Sequence, residues 1–416
     1  MDIARPSGTA TSRTSIITVA LCYCIALFEG FDLQAAGVAA PQLGPAFHMT
    51  PGELGWFFSA STFGLMLGAA VGGRASDWLG RKTVLIASVC VFGLMSVLTG
   101  MAQGANWLLI ARFFTGFGIG GALPNLVALT AENTQPARHN TAIGLLYAGL
   151  PSGGALASLT AAVASAGGWQ SIFYIGGIAP LVAVPLLMWV LPESQELQAA
   201  RQSSSSEVPG HRGFLFALLG EGRGGRSLLL WTGFFLALLT MYLLLNWLPT
   251  LLVARGLSRP DASLVQLSFN LLGAMGSAAT GVLMDRLAPI KVVVAAFLSA
   301  AGALMLLSGA PPDLLVCMAI GGLVGITMSA TQAVLYSIAP SNYPTAVRGT
   351  GVGSAVSVGR LGSAAGPLLA AALVSSGKAP QQVLVMLVPV ILVSGAAVVG
   401  LVLSMNRNAR LATARP

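Results

Sequence analysis

Charged residues are scarce in this sequence. They make up 8% of the 416 residues, against 55% hydrophobic residues, whereas soluble domains carry about 25% charged residues. Such a composition cannot cover a water-facing surface, so the sequence predicts a membrane protein that has lipid as its solvent. Lys and Arg number 21 and Asp and Glu 13, which gives a formal net charge of +8. The basic residues form no soluble basic domain, so nucleic acid is not predicted as a partner.

Cysteine and histidine are equally rare. The four cysteines lie in apolar runs and the three histidines in predicted loops: Cys22, Cys24, Cys90, Cys317, His48, His139 and His211. None has metal-ligand spacing, so the cysteines are predicted to be packing residues. We expect no metal site, no cofactor and no enzymatic activity. The longest polar stretch, 192–227, is too short for the soluble signalling domain of a sensor or receptor.

Long apolar runs dominate the rest of the chain. A membrane-spanning helix needs about 20 residues, and twelve segments qualify. They lie near 15–39, 54–73, 83–101, 107–131, 141–164, 171–191, 228–253, 262–283, 290–308, 313–339, 350–374 and 382–404. The first run is too long and too acidic for a signal peptide and is predicted to remain as a helix. The predicted fold is an all-α membrane protein with two pseudo-symmetric six-helix bundles.

The polar stretch divides the chain in two. The predicted parts are an N-terminus at 1–14, a first bundle at 15–191, a linker at 192–227, a second bundle at 228–404 and a C-terminus at 405–416. Sixteen Lys and Arg residues fall in the termini, the linker and the loops on the same side, and three fall in loops on the opposite side. Basic loops stay in the cytoplasm, so both termini and the linker are predicted to be cytoplasmic.

Two pairs of loop residues repeat at one spacing. Asp77 and Asp285 are 208 residues apart, and so are Pro136 and Pro344. Two coincident offsets indicate that the halves arose by parallel duplication, which is an arrangement found in secondary transporters.

Several motifs resemble those of a known family. Gly73-x-x-x-Asp77 with Gly80-Arg81-Lys82 resembles the loop signature of the major facilitator superfamily, and the run 112–121 resembles its helix-4 motif. Three further runs resemble the aromatic acid:proton symporters within it: Glu29-Gly30-Phe31-Asp32, Asn246-Trp247-Leu248-Pro249 and Val358-Gly359-Arg360-Leu361-Gly362. Most of that family has Asp where this chain has Glu29, and a basic residue where this chain has Trp78.

The resemblance implies a function. It implies import of a small aromatic carboxylate, 3-(3-hydroxyphenyl)propionate or a related phenylpropionate, together with protons, by a monomer in a bacterial inner membrane. Gly149-Leu150-Pro151 partly matches a glycine-proline motif of superfamily antiporters, although Leu150 replaces the glycine before the proline. Proton-driven efflux of an aromatic or other small organic compound therefore remains an alternative.

Four charged residues lie inside predicted spans: Glu29, Asp32, Arg112 and Arg360. A charge at the bilayer centre costs about 2.5–3.5 kcal/mol on insertion scales, so each should face a cavity or a partner. Glu29 and Asp32 share a helical face, and two close carboxylates resist simultaneous ionisation. They are predicted to carry the proton, with Asp32 favoured over Glu29, and Gly30 is predicted to leave room for a ligand. In the alternative, one acid only pairs with Arg112 and joins two helices.

The embedded charges sum to zero. A bound carboxylate would leave the site at minus one, and one proton would restore neutrality. Arg360 is predicted to bind the substrate carboxylate as a bidentate partner, with an internal salt bridge as the alternative. The resemblance assigns Arg112 to proton coupling. Glu132 is predicted to take part in coupling or in the cytoplasmic gate.

Other polar and aromatic residues complete the predicted site and gate. Candidates for binding the ring of the substrate, with ordinary packing as the alternative, are Gln34, Tyr147, Asn246, Trp247, Gln332 and Tyr336. Candidates for a cytoplasmic gate, with a purely topological role of the basic residues as the alternative, are Gly73, Asp77, Arg81, Lys82, Asp285, Arg286, Arg138 and Arg348.

Overall fold

The computed structural model describes residues 12–134, 139–163, 168–191, 220, 223–343 and 348–413. Long α-helices account for nearly all of these residues, and no strand occurs among them. The helices in chain order are α1 (Ser12–Ala46), α2 (Pro51–Leu79), α3 (Arg81–Gly100), α4 (Ala105–Glu132), α5 (His139–Val163), α6 (Gln170–Val190), α7 (Gly224–Ala254), α8 (Arg259–Arg286), α9 (Pro289–Gly309), α10 (Leu314–Ile338), α11 (Arg348–Ser375) and α12 (Pro380–Thr413).

All twelve helices are long and apolar enough to cross a membrane, which confirms the predicted fold class. Several are longer than predicted. Helix α1 continues through Pro41 and Pro45. Pro41 and Leu43 are buried against the surrounding helices, and neighbouring helices make proline tolerable in a membrane helix. Helix α7 begins at Gly224, inside the predicted linker, and α12 extends beyond 404 to Thr413.

A short polar turn separates α1 from α2. His48 adopts a positive φ of 49°, and Thr50 then caps α2. The Thr50 side chain accepts a hydrogen bond from the Glu53 backbone N–H, and the Glu53 carboxylate accepts one from the Thr50 backbone N–H. This reciprocal capping box satisfies two backbone donors at the helix start.

The two halves pack their helices in the same pattern. In the first half α2 packs on α4, α1 on α5, and α3 on both α4 and α6. In the second half α8 packs on α10, α7 on α11, and α9 on both α10 and α12. Each pairing in the second half is the first-half pairing moved on by six helices. This correspondence supports the duplication that was predicted from the repeated loop residues.

Glycine permits the close contact of α2 with α4. A β-carbon at Gly116 would lie 1.8 Å from the carbonyl oxygen of Ser61, and one at Gly64 would lie 1.9 Å from that of Phe113. No side chain fits at such distances, so each helix depends on a glycine of its own at this interface. Gly30 has the same function between α1 and α5. Its β-carbon would lie 2.0 Å from the carbonyl oxygen of Leu150, so the space expected there for a ligand is filled by α5.

Several contacts join the two bundles on one side of the membrane. Six spans separate the start of α1 from the start of α7, so both helix starts lie on one side, which we call the linker side, and the opposite side is the far side. Gly37 near the end of α1 abuts Leu245 of α7, and Gly55 near the start of α2 abuts Ala371 of α11. The Ser59 hydroxyl also donates to the Ala364 carbonyl over 2.7 Å. These contacts join the two bundles on the far side.

Candidate transport site

Asp32 and Arg112 form a buried ion pair that joins α1 to α4. Arg112 Nη1 donates to Asp32 Oδ2 over 2.8 Å, and both side chains are at most 1% exposed. Ser96 donates to Asp32 Oδ1 over 2.6 Å. Arg112 Nη2 also donates to the Asp32 backbone carbonyl over 3.2 Å. Both oxygens of this carboxylate are therefore engaged by partners within the first bundle.

Glu29 has a different environment, although it lies one helical turn before Asp32. Its side chain is fully buried, and neither carboxyl oxygen has a hydrogen-bond partner among the described residues. The charged group that acts on it electrostatically is Arg360 of the second bundle. The two acids predicted to act together thus face different partners.

Arg360 lies midway along α11 and is held from α7. Its Nη1 donates to the hydroxyl of Tyr242 over 2.7 Å. The side chain is only half-buried, although it lies in the middle of a membrane span. The residue therefore keeps part of its surface accessible.

Two further tyrosines lie close to Arg360. Tyr147 of the first bundle is 48% exposed, and Tyr336 of the second bundle is 43% exposed. They interact electrostatically with each other, and both interact with Arg360. Glu29, Arg360 and the two tyrosines are therefore close enough to influence one another across the bundles, and we call the region that they share the central space.

Gln34 does not join this group through its amide. Its Nε2 donates to Asn270 Oδ1 over 2.9 Å, and Asn270 Nδ2 donates back to Gln34 Oε1 over 2.6 Å. Gln266 Nε2 reaches the same Gln34 oxygen over 3.3 Å. The cluster is buried and bridges α1 and α8, so the structure places Gln34 at the contact between the bundles.

Asn246 and Trp247 lie in helix contacts as well. Asn246 is buried, and its Nδ2 donates to the Tyr242 backbone carbonyl over 2.8 Å. The indole N–H of Trp247 donates to the Pro367 carbonyl over 3.1 Å, and its ring meets Phe58 edge-on at 5.6 Å. Gln332 is half-buried on α10. The substrate roles predicted for these three residues and for Gln34 stay predictions.

The predicted gate residues with described side chains lie at linker-side helix ends. Arg81, at the start of α3, forms a salt bridge with Glu132, at the end of α4. Lys82 Nζ donates to the Met188 carbonyl of α6 over 2.7 Å. Glu132 therefore lies beside Arg81 at the linker-side helix ends rather than beside Glu29 or Asp32. Gly73 has open space where a side chain would stand.

The second copy of the loop motif is only partly described. Asp285 and Arg286 end α8, and both are exposed. Arg348 begins α11, but its side chain and that of Asp77 lie outside the described residues, as does all of Arg138. The gate roles predicted for these five residues stay predictions.

Several residues at these contacts were missed from the sequence: Tyr242, Ser96, Gln266 and Asn270. Gln266 and Asn270 stand four residues apart on α8, so they share a face, and two amides on one face of a membrane helix are a signal that could have identified them. Tyr242 stands one turn before the noted Asn246. Ser96 carries no such signal, because a lone serine in a membrane helix usually bonds its own backbone.

Comparison with known proteins identifies the family. The chain matches the sequence profile of the Major Facilitator Superfamily over residues 22–367 and 230–414. It is 40% identical over 411 residues to the 3-(3-hydroxy-phenyl)propionate transporter of Escherichia coli (strain K12), covering 99% of this chain and 98% of that protein. It is 33% identical to the gallate transporter of Pseudomonas putida, covering 87% and 86% of the two chains.

Solved structures agree at the level of the fold. The crystal structure of a bacterial homolog of the human lysosomal transporter Spinster matches with a TM-score of 0.78 at 17% identity, covering 96% of this chain and 99% of that chain. The relatives are transporters, and no enzyme activity is indicated by the family or by the fold. The chain is therefore a multi-pass membrane protein that belongs to the major facilitator superfamily.

Proposed function

We propose that the protein is a proton-coupled symporter that imports a small aromatic carboxylate by alternating access. The observation that carries the proposal is the arrangement of Glu29 and Arg360. A buried carboxyl group without hydrogen bonds among the described residues and the guanidinium of a half-buried arginine act on each other across the interface of the two bundles. The names of the relatives support 3-(3-hydroxyphenyl)propionate or a related phenylpropionate as the substrate.

Charge balance links the anion to the proton. Asp32 and Arg112 neutralise each other at 2.8 Å, which leaves Glu29 and Arg360 as the pair that responds to ligand. A buried carboxylate needs a cation or a proton to offset its lost hydration. When a substrate carboxylate binds Arg360, it takes up the positive charge that balanced Glu29, and a proton on Glu29 restores neutrality. Glu29 is thus the proton carrier of the proposal, while Asp32 holds α1 on α4 and α3.

Arg360 and the tyrosines define the substrate chemistry. A guanidinium presents paired donors that fit a carboxylate. Tyr147 and Tyr336 are accessible aromatic side chains beside it, which suit an aromatic ring and can exchange hydrogen bonds with a ring hydroxyl. A phenylpropionate carries a carboxylate, a ring and, in its hydroxylated form, a phenol.

The proposed setting is a bacterial inner membrane. The positive-inside rule places the linker side in the cytoplasm, so the far side with its bundle contacts faces outward and the central space is reached from the cytoplasm. The salt bridge of Arg81 with Glu132 belongs to the cytoplasmic gate. The coupling ion is a proton, no further cofactor is invoked, and the working unit is a monomer in the lipid bilayer.

Purified protein in liposomes tests the proposal. We expect an inwardly directed proton gradient to drive accumulation of 3-(3-hydroxyphenyl)propionate, and substrate entry to acidify the lumen as reported by a trapped pH-sensitive dye. Cinnamate and benzoate complete the panel. Accumulation driven by a gradient of the opposite direction would support the efflux alternative instead. Transport without any lumenal pH change and without a response to an imposed gradient would refute proton coupling.

A further inference from the structure

Tyr242 makes a contact that neither the proposed transport cycle nor the family motifs assign. Its hydroxyl accepts a hydrogen bond of 2.7 Å from Arg360 Nη1. Among the described residues, the Arg360 side chain makes no other hydrogen bond. A guanidinium has five N–H donors, so one is committed to Tyr242 and the others remain for a ligand. Both residues belong to the second bundle, on the packed pair α7 and α11.

The bond decides where the guanidinium lies relative to Glu29. Arg360 and Glu29 act on each other electrostatically, yet they form no ion pair among the described residues, and both carboxyl oxygens of Glu29 lack partners there. An arginine side chain is long and has several rotatable bonds, so a free guanidinium would turn toward a buried carboxylate. The phenol of Tyr242 offers the guanidinium a neutral hydrogen-bond acceptor on the second bundle in place of the Glu29 carboxylate.

We infer that Tyr242 is a positioning residue that holds the Arg360 guanidinium on the second bundle and away from Glu29. The ligand-free site then keeps donors available for a carboxylate and keeps Glu29 available for a proton. Without this hold, Arg360 and Glu29 would pair with each other across the bundles. The substrate anion would have to break that pair before binding. The inference rests on the proposed function for its consequence, but the hold itself is a property of the ligand-free protein.

The first test is ligand-free and uses four proteins: wild type, Tyr242→Phe, Glu29→Gln and the double variant. In wild-type protein we expect Glu29→Gln to change the melting temperature little, because Glu29 has no bonded partner. In the Tyr242→Phe background Arg360 is expected to pair with Glu29, and Glu29→Gln then removes that pair. It should therefore lower the melting temperature by at least ~2 °C more than in wild type. Equal effects in the two backgrounds would overturn the inference whether or not the protein transports aromatic acids.

The second test uses the binding of 3-(3-hydroxyphenyl)propionate and of its uncharged amide to detergent-purified protein. A hydrogen bond to a charged group typically contributes enough to change affinity about tenfold. We expect Tyr242→Phe to weaken binding of the acid about tenfold and to leave binding of the amide nearly unchanged. In the Glu29→Gln background the same substitution should weaken acid binding far less.

A matched control removes a tyrosine hydroxyl group at a helix contact outside the proposed site. The hydroxyl of Tyr174 donates to the Gly100 carbonyl over 3.2 Å in a contact of α6 with α3. Tyr174→Phe should alter neither the preference for acid over amide nor the effect of Glu29→Gln. Equal weakening of acid and amide by Tyr242→Phe would mean that Tyr242 only packs the site, and would overturn the inference. Failure of wild-type protein to bind any acid of the panel would refute the proposed substrate, while the melting-temperature cycle would still decide the role of Tyr242.

Discussion

Asp32 and Arg112 form a buried ion pair in which both carboxylate oxygens are bonded: 2.8 Å separates Asp32 Oδ2 from Arg112 Nη1, and Ser96 donates to the second carboxylate oxygen. Removing one member of a buried pair leaves the other charge uncompensated and costs about 3–5 kcal/mol. We therefore expect Asp32→Asn to lower the thermal stability of the purified protein strongly, as measured by thermal unfolding in detergent. A stable Asp32→Asn protein that binds substrate but cannot accumulate it would return the proton-carrying role to Asp32.

Glu29 should behave in the opposite way. Glu29→Gln removes a titratable group that has no hydrogen-bond partner among the described residues, so the fold should tolerate it. Proton-driven accumulation in liposomes should be lost, while exchange of labelled for unlabelled substrate continues, because a permanently neutral side chain mimics the protonated state. Uphill accumulation by this variant would exclude Glu29 as the proton carrier.

Glu53→Gln is the matched control for that experiment. Glu53 is a capping acid at the start of α2, and Gln serves the same capping box. Its replacement removes one carboxylate without touching the central space. Accumulation by Glu53→Gln protein should equal that of wild type.

Arg360→Lys tests the carboxylate partner. Lysine keeps the positive charge but loses the paired donor geometry and cannot also reach Tyr242 in the same way. Loss of one or two charge-assisted hydrogen bonds should weaken binding of carboxylate substrates about 10- to 100-fold, measured by direct binding to purified protein.

The control for this change is Arg255→Lys. Arg255 donates to the carbonyls of Leu307 and Ala310 at the far-side end of α7 and lies outside the proposed site. Unchanged carboxylate affinity in Arg360→Lys protein, or an equal loss in Arg255→Lys protein, would count against the assignment.

The fold was largely predictable because lipid imposes a simple rule on sequence. Each span must be an apolar run of sufficient length, and two loop spacings of 208 residues disclosed the duplication. The helix ends were less predictable. The first span was predicted to end near residue 39, but the helix continues through Pro41 and Pro45 to Ala46. Polar residues past 404 were assigned to a terminus, although α12 continues through them.

The sequence predicted which charged residues belong to the site but not which of them contact each other. The scarcity of charged residues within membrane spans was enough to identify Glu29, Asp32, Arg112 and Arg360. A charge inside a span is costly, so it needs a partner or a cavity. Which acid meets which arginine depends on how α1 is rotated between the bundles. Residues three apart on a helix share a face, but that face is wide enough for Asp32 to meet α4 while Glu29 meets the second bundle. Tyr242 and Arg360 are 118 residues apart in sequence, and no local sequence pattern predicts their contact.

Gln34 and Asn270 offer a prediction about the far side. Their two mutual hydrogen bonds, 2.9 Å and 2.6 Å long, join the bundles inside a buried contact and must break when the far side opens. Each bond contributes about 1 kcal/mol, so loss of both should shift the population toward a far-side-open state by about tenfold or more. Spin labels at Ala46 and Ala254, in a cysteine-free background, would report this as a longer distance between the ends of α1 and α7.

Comparison of two variants separates this contact from substrate binding. We expect both Gln34→Ala and Asn270→Ala to lengthen the spin-label distance, because either change removes the two mutual bonds. Gln34→Ala also removes the longer bond from Gln266, so it should lengthen the distance at least as much as Asn270→Ala. Ser268→Ala is the control, since the Ser268 hydroxyl donates to the Met318 carbonyl within the second bundle and its loss should leave the distance unchanged. If Gln34→Ala weakened substrate binding while Asn270→Ala neither weakened it nor changed the distance, Gln34 would be a substrate ligand.

Because neutral amides do not titrate, the change in the spin-label distance should also be the same at pH 6 and pH 8. This distinguishes the amide contact from the proton-dependent step at Glu29.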